Sequence, residues 1–163
     1  MGKDVSWNST YDATAESAFA VLSNDAFLTQ LAKDTGSLES SVNVETAADG
    51  TVTITNSRTF PAEVPSYAKS MVGDTISVVE VQNWGPADAQ GARSGTFTVD
   101  FGGAPVKFTG ELSLTGNSPC AAATSGTVKA SIPLVGGKVE SLVVEQISAY
   151  MGELEAHVKT ALA

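Results

Sequence analysis

Alternation of apolar and polar residues dominates the first 132 residues of the chain and predicts β-strands. In the first strand, Val5, Trp7, Ser9 and Tyr11 share one face, and polar residues occupy the other. The same period recurs in six later segments, namely residues 38–46, 51–60, 75–84, 93–101, 106–114 and 120–132. The pattern therefore predicts seven strands, with the last six in a meander.

Two short helices are predicted between the first and second strands. Thr14 can accept a hydrogen bond at the start of the first helix, and Ser23 or Asn24 can do so at the start of the second. The second helix is expected to end near Gly36. Residues 66–72 add a short helical turn after the third strand. The helical segments in this part of the chain are thus short connections between strands.

From Leu134 onward the apolar residues recur every three or four positions, which predicts one long amphipathic helix. The apolar stripe consists of Val135, Val139, Leu142, Val143, Ile147, Tyr150, Met151, Leu154, Val158, Ala161 and Leu162. Most charged residues are expected on the solvated face, namely Glu140, Glu145, Glu153, Glu155 and Lys159. A helix of about 28 residues extends roughly 42 Å. It must therefore cross the whole width of the sheet.

The order of these elements defines a fold class. An antiparallel sheet with its helices on one side belongs to the α+β class. A length of 163 residues is typical of one domain, and no linker-like stretch divides the chain. We therefore expect residues 1–163 to form a single domain.

Charge and composition exclude several classes of function. The chain has 9 Lys and Arg residues against 18 Asp and Glu residues, a formal net charge of -9. A nucleic-acid site needs a basic face, so we expect no nucleic-acid partner. The single cysteine excludes an intramolecular disulfide, and the single histidine excludes His-rich metal sites. The sequence predicts no metal site and no cofactor.

The sequence shows no signal for export or membrane insertion. Residues 1–7 contain Lys3 and Asp4 instead of an apolar leader, and nowhere do 18 apolar residues follow one another. A lone cysteine also suits a reducing compartment. We therefore expect a cytoplasmic protein with no membrane span, and the sequence leaves its oligomeric state open.

A family resemblance rests on the element order and on three short segments. The segments are Asn83-Trp84-Gly85-Pro86, Gly95-Thr96-Phe97 and Ile132-Pro133-Leu134-Val135-Gly136-Gly137-Lys138-Val139-Glu140. The element order resembles that of the helix-grip superfamily, also called START-like, Bet v 1-like or SRPBCC. The segments resemble those of an uncharacterised actinobacterial family within it. The resemblance implies a curved seven-stranded antiparallel sheet around a long C-terminal helix.

The same resemblance implies a cavity between the sheet and the helix. Members of the superfamily carry lipids, sterols, plant hormones or polyketides there, some cyclise polyketides, and others bind a chaperone. Mainly apolar residues with a few polar groups would line such a pocket in this chain. The predicted ligand-binding residues are Trp7, Asn56, Arg58, Phe60, Trp84, Phe97, Phe101 and Phe108 of the sheet with Ile147, Tyr150, Met151 and Leu154 of the helix.

Strand seven is expected beside strand one, beneath the long helix. Its inward residues are unusually small, namely Cys120, Ala122, Thr124, Gly126, Val128, Ala130 and Ile132. The facing helix residues are large. Two interpretations remain open: the helix packs closely against a strand of small residues, or a cavity remains between them.

Arg58 shares the inward parity of strand three with Ile54, Asn56 and Phe60. A buried guanidinium needs a carboxylate or phosphate partner. Glu80 or Gln82 of strand four could lie beside it, and the acidic head group of an apolar ligand is the functional alternative. A bulge or strand end that turns Arg58 to solvent is a further alternative.

Few residues could support catalysis in such a cavity. A Ser-His-Asp triad would have to use His157, which lies at the margin of the apolar stripe, where a packing or solvated role is the alternative. Arg58, Glu80 and Tyr150 are the other candidates for acid or base chemistry. Our working hypothesis is a protein that binds an apolar small molecule. A polyketide cyclase or aromatase-like enzyme and a co-chaperone-like interaction module are the alternatives.

Overall fold

The computed structural model describes residues 2–163, so Met1 of the amino-terminal segment lies outside the described residues. The elements in chain order are β1 (Lys3–Tyr11), α1 (Ala15–Leu22), α2 (Asp25–Asp34), β2 (Glu39–Thr46), β3 (Val52–Pro61), α3 (Ser66–Val72), β4 (Thr75–Trp84), β5 (Arg93–Phe101), β6 (Val106–Thr115), β7 (Cys120–Ala130) and α4 (Gly136–Leu162). Each predicted strand and helix is present.

The strands form one curved antiparallel sheet in the order β1-β7-β6-β5-β4-β3-β2. β1 pairs with β7, with Trp7 opposite Thr124 and Tyr11 opposite Cys120. Every other neighbouring pair is consecutive in the chain. The predicted meander and the predicted pairing of the first and last strands are both confirmed.

Side-chain hydrogen bonds cap the two short helices that follow β1. Thr14 Oγ1 accepts the Ser17 N–H at 3.0 Å, and Asn24 Oδ1 accepts the Phe27 N–H at 2.8 Å. Ser23, the alternative cap for α2, instead donates its hydroxyl to the Phe19 carbonyl at 2.7 Å and ends α1. Ser23 and Asn24 therefore close one helix and open the next.

α4 is a single helix of 27 residues that packs against β1 and β7. The prediction of a solvated face was wrong at Glu140, which is 3% exposed. Its Oε2 accepts the Ala130 N–H at 3.0 Å, at the point where β7 ends. A helical period assigns faces but does not show where a strand end needs an acceptor. No helix among residues 2–163 is long and apolar enough to span a membrane.

The buried residues form two clusters, one near each end of α4. The C-terminal cluster includes Phe19, Trp84 and Val158, and the N-terminal cluster includes Phe97 and Val139, with further buried residues in each. Between them, positions 142–154 of α4 contain no fully buried side chain. The two clusters therefore leave a space beneath the middle of the helix.

Candidate functional site

A cavity of about 790 Å³ lies between the inner face of the sheet and α4. Its volume is in the range of sites that hold drug-sized molecules. All the residues predicted to bind a ligand line it, namely Trp7, Asn56, Arg58, Phe60, Trp84, Phe97, Phe101, Phe108, Ile147, Tyr150, Met151 and Leu154. Their contact with a ligand stays a prediction.

The small residues of β7 have two different surroundings. Ala122 and Thr124 line the cavity. Gly126 instead lies beneath aromatic rings of the sheet, because a Cβ built there would be 2.8 Å from Phe108 Cε1 and 2.9 Å from Phe97 Cζ. Those rings meet edge to face with centroids 4.6 Å apart. A cavity therefore remains beside Ala122 and Thr124, and the close packing at Gly126 is with aromatic rings of the sheet, which neither interpretation predicted.

The cavity opens along one side of α4. The lining residues that are exposed define this rim, namely Asp34, Gly36, Pro61, Glu63, Gln146, Ala149 and Glu153. They belong to the end of α2 and the turn after it, the end of β3 and the residues that follow it, and the middle of α4. A small molecule would enter between α4 and these two segments.

Arg58 faces inward and is 6% exposed, so the alternative in which it turns to solvent is wrong. Its Nη2 donates to Glu80 Oε1 at 3.1 Å, and the two side chains are 5% and 17% exposed. Glu80 lies on β4 opposite Asn56, one step along the inner face from Arg58. The pairing of adjacent strands therefore gives Arg58 a carboxylate partner from the protein itself.

Hydrogen bonds along β4 hold the Glu80 carboxylate in place. Gln82 Nε2 donates to Glu80 Oε2 at 2.8 Å, and Trp84 Nε1 donates to Gln82 Oε1 at 2.8 Å. These three side chains share the inner face of the strand, two residues apart. One carboxylate oxygen thus faces Gln82 and the other faces Arg58.

Two buried polar atoms beside this pair lack a hydrogen-bond partner within residues 2–163: Asn56 Oδ1 and Arg58 Nε. Folded proteins pair roughly 90% or more of such atoms. Each unpaired atom costs about 1–3 kcal/mol. Both residues line the cavity. The exception therefore falls on two residues of the cavity wall.

Tyr150 projects from α4 toward the Arg58–Glu80 pair. The Arg58 Cζ lies 4.7 Å from the centroid of its ring, within the range of a cation–π contact. Burial raises the pKa of Tyr150 to about 12, although the Arg58 cation opposes that shift. The phenol is therefore neutral at physiological pH and is available as a hydrogen-bond donor.

His157 ties α4 to α2 beside the rim and is not among the described residues that line the cavity. Its Nδ1 lies 2.7 Å from the Glu153 carbonyl oxygen and its Nε2 lies 3.2 Å from Asp34 Oδ2. The Glu153 carbonyl, followed by the Asp34 carboxylate, raises the pKa of the imidazole. Of the four catalytic candidates, Arg58, Glu80 and Tyr150 reach the cavity and His157 does not.

The prediction of a solvated face was also wrong at Glu155, which forms a second link between helix and sheet. Its Oε1 accepts hydrogen bonds from the Ser9 hydroxyl and from Trp7 Nε1, the latter at 3.3 Å. The Ser9 hydrogen bond lowers the pKa of Glu155, and burial opposes it. Glu155 follows Met151 by four residues and so shares its helix face, which is the signal that could have revealed the contact.

An antiparallel sheet curved around a long C-terminal helix, with a cavity between them, defines the helix-grip class of α+β proteins. This chain belongs to the family described as protein of unknown function (DUF2505), whose sequence model matches residues 6–162. The predicted membership of an uncharacterised family is thus confirmed, and its actinobacterial origin stays a prediction. No curated protein is significantly similar to the chain.

Solved structures share the fold at low sequence identity. The Zhui aromatase/cyclase from Streptomyces sp. R1128 has a TM-score of 0.62 at 10% identity, over 99% of this chain and 94% of that one. A START superfamily protein from Mycobacterium smegmatis has a TM-score of 0.56 at 15% identity, over 97% and 98%. Norcoclaurine synthase from Thalictrum flavum, in complex with dopamine and hydroxybenzaldehyde, has a TM-score of 0.56 at 16% identity, over 99% and 87%. These likenesses establish the helix-grip fold.

Proposed function

We propose that this chain binds an apolar small molecule in the cavity between the sheet and α4. The observation that carries the proposal is the 790 Å³ space itself, which remains between two well-packed clusters. Protein interiors are normally close-packed, with few voids larger than a water molecule. The names of the structural neighbours, an aromatase/cyclase and a synthase in complex with dopamine and hydroxybenzaldehyde, support small-molecule binding by this fold.

The predicted lining residues give the ligand a defined setting. Phe97, Phe101 and Phe108 would contact its apolar body from the sheet, and Met151 would contact it from α4. Its polar end would lie against Arg58 and the residues around it. The ligand would enter at the rim and leave the convex face of the sheet free.

The central test replaces Met151 with arginine. Met151→Arg places a charged side chain in the apolar cavity, and we expect it to abolish retention of the ligand. Ala156→Arg is the matched control, because Ala156 lies exposed on the same helix and outside the cavity. Both variants are purified from the native host, and native mass spectrometry detects any small molecule that remains bound.

The outcomes separate clearly. Wild type and Ala156→Arg should retain the same small apolar compound, and Met151→Arg should carry none while its circular dichroism stays native. A wild-type protein that purifies empty and takes up no lipid or polyketide probe would refute the proposal. Equal retention by Met151→Arg would place the bound compound elsewhere.

A second candidate, a polyketide cyclase or aromatase-like enzyme, is favoured by one observation. Arg58, Glu80 and Tyr150 meet at the cavity wall, where a cation, a carboxylate and a neutral phenol could orient a reactive carbonyl. An enzyme would lose turnover of a polyketide substrate in Tyr150→Phe while still binding it. A wild-type protein that turns over no polyketide substrate would exclude this candidate, and unchanged turnover in Tyr150→Phe and Glu80→Gln would exclude a catalytic role for these residues.

The third function class lacks such support. A protein-interaction module would need a contiguous apolar patch. The large apolar side chains exposed among residues 2–163 are Leu38, Tyr67 and Leu134, which belong to three separate segments. We therefore do not propose it. The cytoplasmic location stays a prediction that fractionation of the native host would test.

A further inference from the structure

The charge of Arg58 is already neutralised within the protein. Glu80 Oε1 lies 3.1 Å from Arg58 Nη2, and both side chains are largely buried. A ligand carboxylate placed against Arg58 would bring a second negative charge close to Glu80. Two carboxylates that share one site repel each other and resist joint ionisation. An acidic head group on the ligand was one expectation from the sequence. It would meet an arginine whose charge Glu80 already balances.

The rest of the lining strengthens this bias against anions. Among the lining residues within 2–163, Arg58 is the only arginine or lysine, whereas Asp34, Glu63, Glu80 and Glu153 are acidic. Three of those acids lie on the rim, and the imidazole of His157 lies within hydrogen-bond distance of one of them, Asp34. An anionic ligand would have to pass an acidic rim and then lose its hydration inside an apolar cavity.

The two unpaired atoms indicate what the cavity accepts instead. Arg58 Nε is a donor and Asn56 Oδ1 is an acceptor, from two residues that share the inner face of β3. A hydroxyl group both accepts and donates a hydrogen bond, and a ketone oxygen accepts one. Neither group adds charge to the balanced Arg58–Glu80 pair. An uncharged oxygen group is thus the chemical match.

We propose, building on the proposed function, that the cavity selects apolar ligands with an uncharged hydroxyl or ketone group and excludes ionised carboxylates. Arg58 and Asn56 bind the oxygen group, and Glu80 sets the selection by holding the Arg58 charge in balance. The selection resides in Glu80, a residue that need not touch the ligand.

A matched pair of probes tests the selection on the wild-type protein. Dodecan-1-ol and dodecanoate share one chain length and differ in the head group, and isothermal titration calorimetry from pH 6 to pH 8 measures both affinities. Dodecanol should bind equally across this range. Dodecanoate can enter only as the neutral acid, so its affinity should fall about tenfold for each pH unit, with uptake of a proton on binding.

The results of this experiment are distinct. Dodecanoate that binds as tightly as dodecanol at pH 8, without proton uptake, would overturn the inference and leave apolar-ligand binding intact. If neither probe binds, the inference fails, and the compound retained by protein from the native host then decides the proposed function separately. Dodecanol that binds at least tenfold more tightly than dodecanoate at pH 8 supports both.

Removal of the Glu80 charge should reverse the selection. Glu80→Gln leaves Arg58 without a carboxylate, so dodecanoate should bind at least about tenfold more tightly than to wild type, without proton uptake. Glu111→Gln is the matched control, since Glu111 is exposed on β6 and outside the cavity, and it should keep the wild-type preference. A folded Glu80→Gln that still excludes dodecanoate would refute the role of Glu80.

Discussion

Replacement of Arg58 by methionine probes the buried ion pair directly. The substitution keeps an unbranched side chain of similar length but leaves the Glu80 carboxylate with no cation, at 17% exposure. Breaking a buried pair from one side costs about 3–5 kcal/mol. Total stability is typically about 5–15 kcal/mol, so Arg58→Met should remove a large part of it. For a chain of this length the loss corresponds to a fall in Tm of roughly 6–20 °C.

The double variant Arg58→Met, Glu80→Met separates two free energies: the cost of leaving one buried charge unpaired and the net contribution of the intact pair to stability. It removes both charges and the unpaired Arg58 Nε together. Replacing a buried pair by apolar residues of similar volume is often neutral or stabilising. The cation–π contact with Tyr150 is also lost, which is worth about 0.5–2 kcal/mol. The double variant should therefore be within about 2 kcal/mol of wild type.

Urea unfolding followed by circular dichroism at pH 7 measures all the variants. Lys107→Met is the matched control, since Lys107 pairs with Asp100 at 3.4 Å on the surface, where the two side chains are 71% and 54% exposed. It should change stability by less than about 0.5 kcal/mol. The reasoning is refuted if Arg58→Met costs less than about 1 kcal/mol, or if the double variant is no more stable than the single one.

Three further predictions concern α4. Glu140→Leu should lower the free energy of unfolding by about 1–3 kcal/mol in urea, because the Ala130 N–H loses its acceptor. The control Glu145→Leu, at an exposed position, should change it by less than about 0.5 kcal/mol. Gly152→Ala should raise the free energy of unfolding by about 0.5–1 kcal/mol, since a Cβ there meets only an indole ring at 3.9 Å. A loss of stability would show that the helix has no room for the added methyl group. His157 has a raised pKa in the fold, so its contribution is fully present below about pH 6.5 and is lost as the pH rises through the folded pKa. Wild type should have a higher Tm than His157→Gln at pH 5.5, and the two Tm values should become equal at high pH. A difference in Tm that does not change with pH would contradict the assignment.

The sequence predicted the order of the elements and the inward residues of the strands, because both depend on local periods. Arg58 shares parity with Ile54 and Phe60, and a period of two places all three on one face. Its partner could not be assigned in the same way. The choice among Glu80, Gln82 and a ligand depends on the register between β3 and β4, which periodicity does not contain.

Long-range packing explains the remaining differences. The sequence left open whether the helix or a cavity lies above Gly126, and the structure instead brings the rings of Phe97 and Phe108 to it from other strands of the sheet. The rim, with Asp34 and Glu153, depends on where the end of α2 meets α4 in space. Such contacts join residues that are far apart in the chain, and no local pattern records them.

The attachment of α4 to two separate clusters has a consequence for the size of the cavity. The helix is held at both ends, with Val139 in one cluster and Val158 in the other. Because the cavity lies between these two attachments, we expect its size to depend on how closely each cluster holds α4 to the sheet. Residues that do not line the cavity, such as Val139 and Val158, can therefore influence its size.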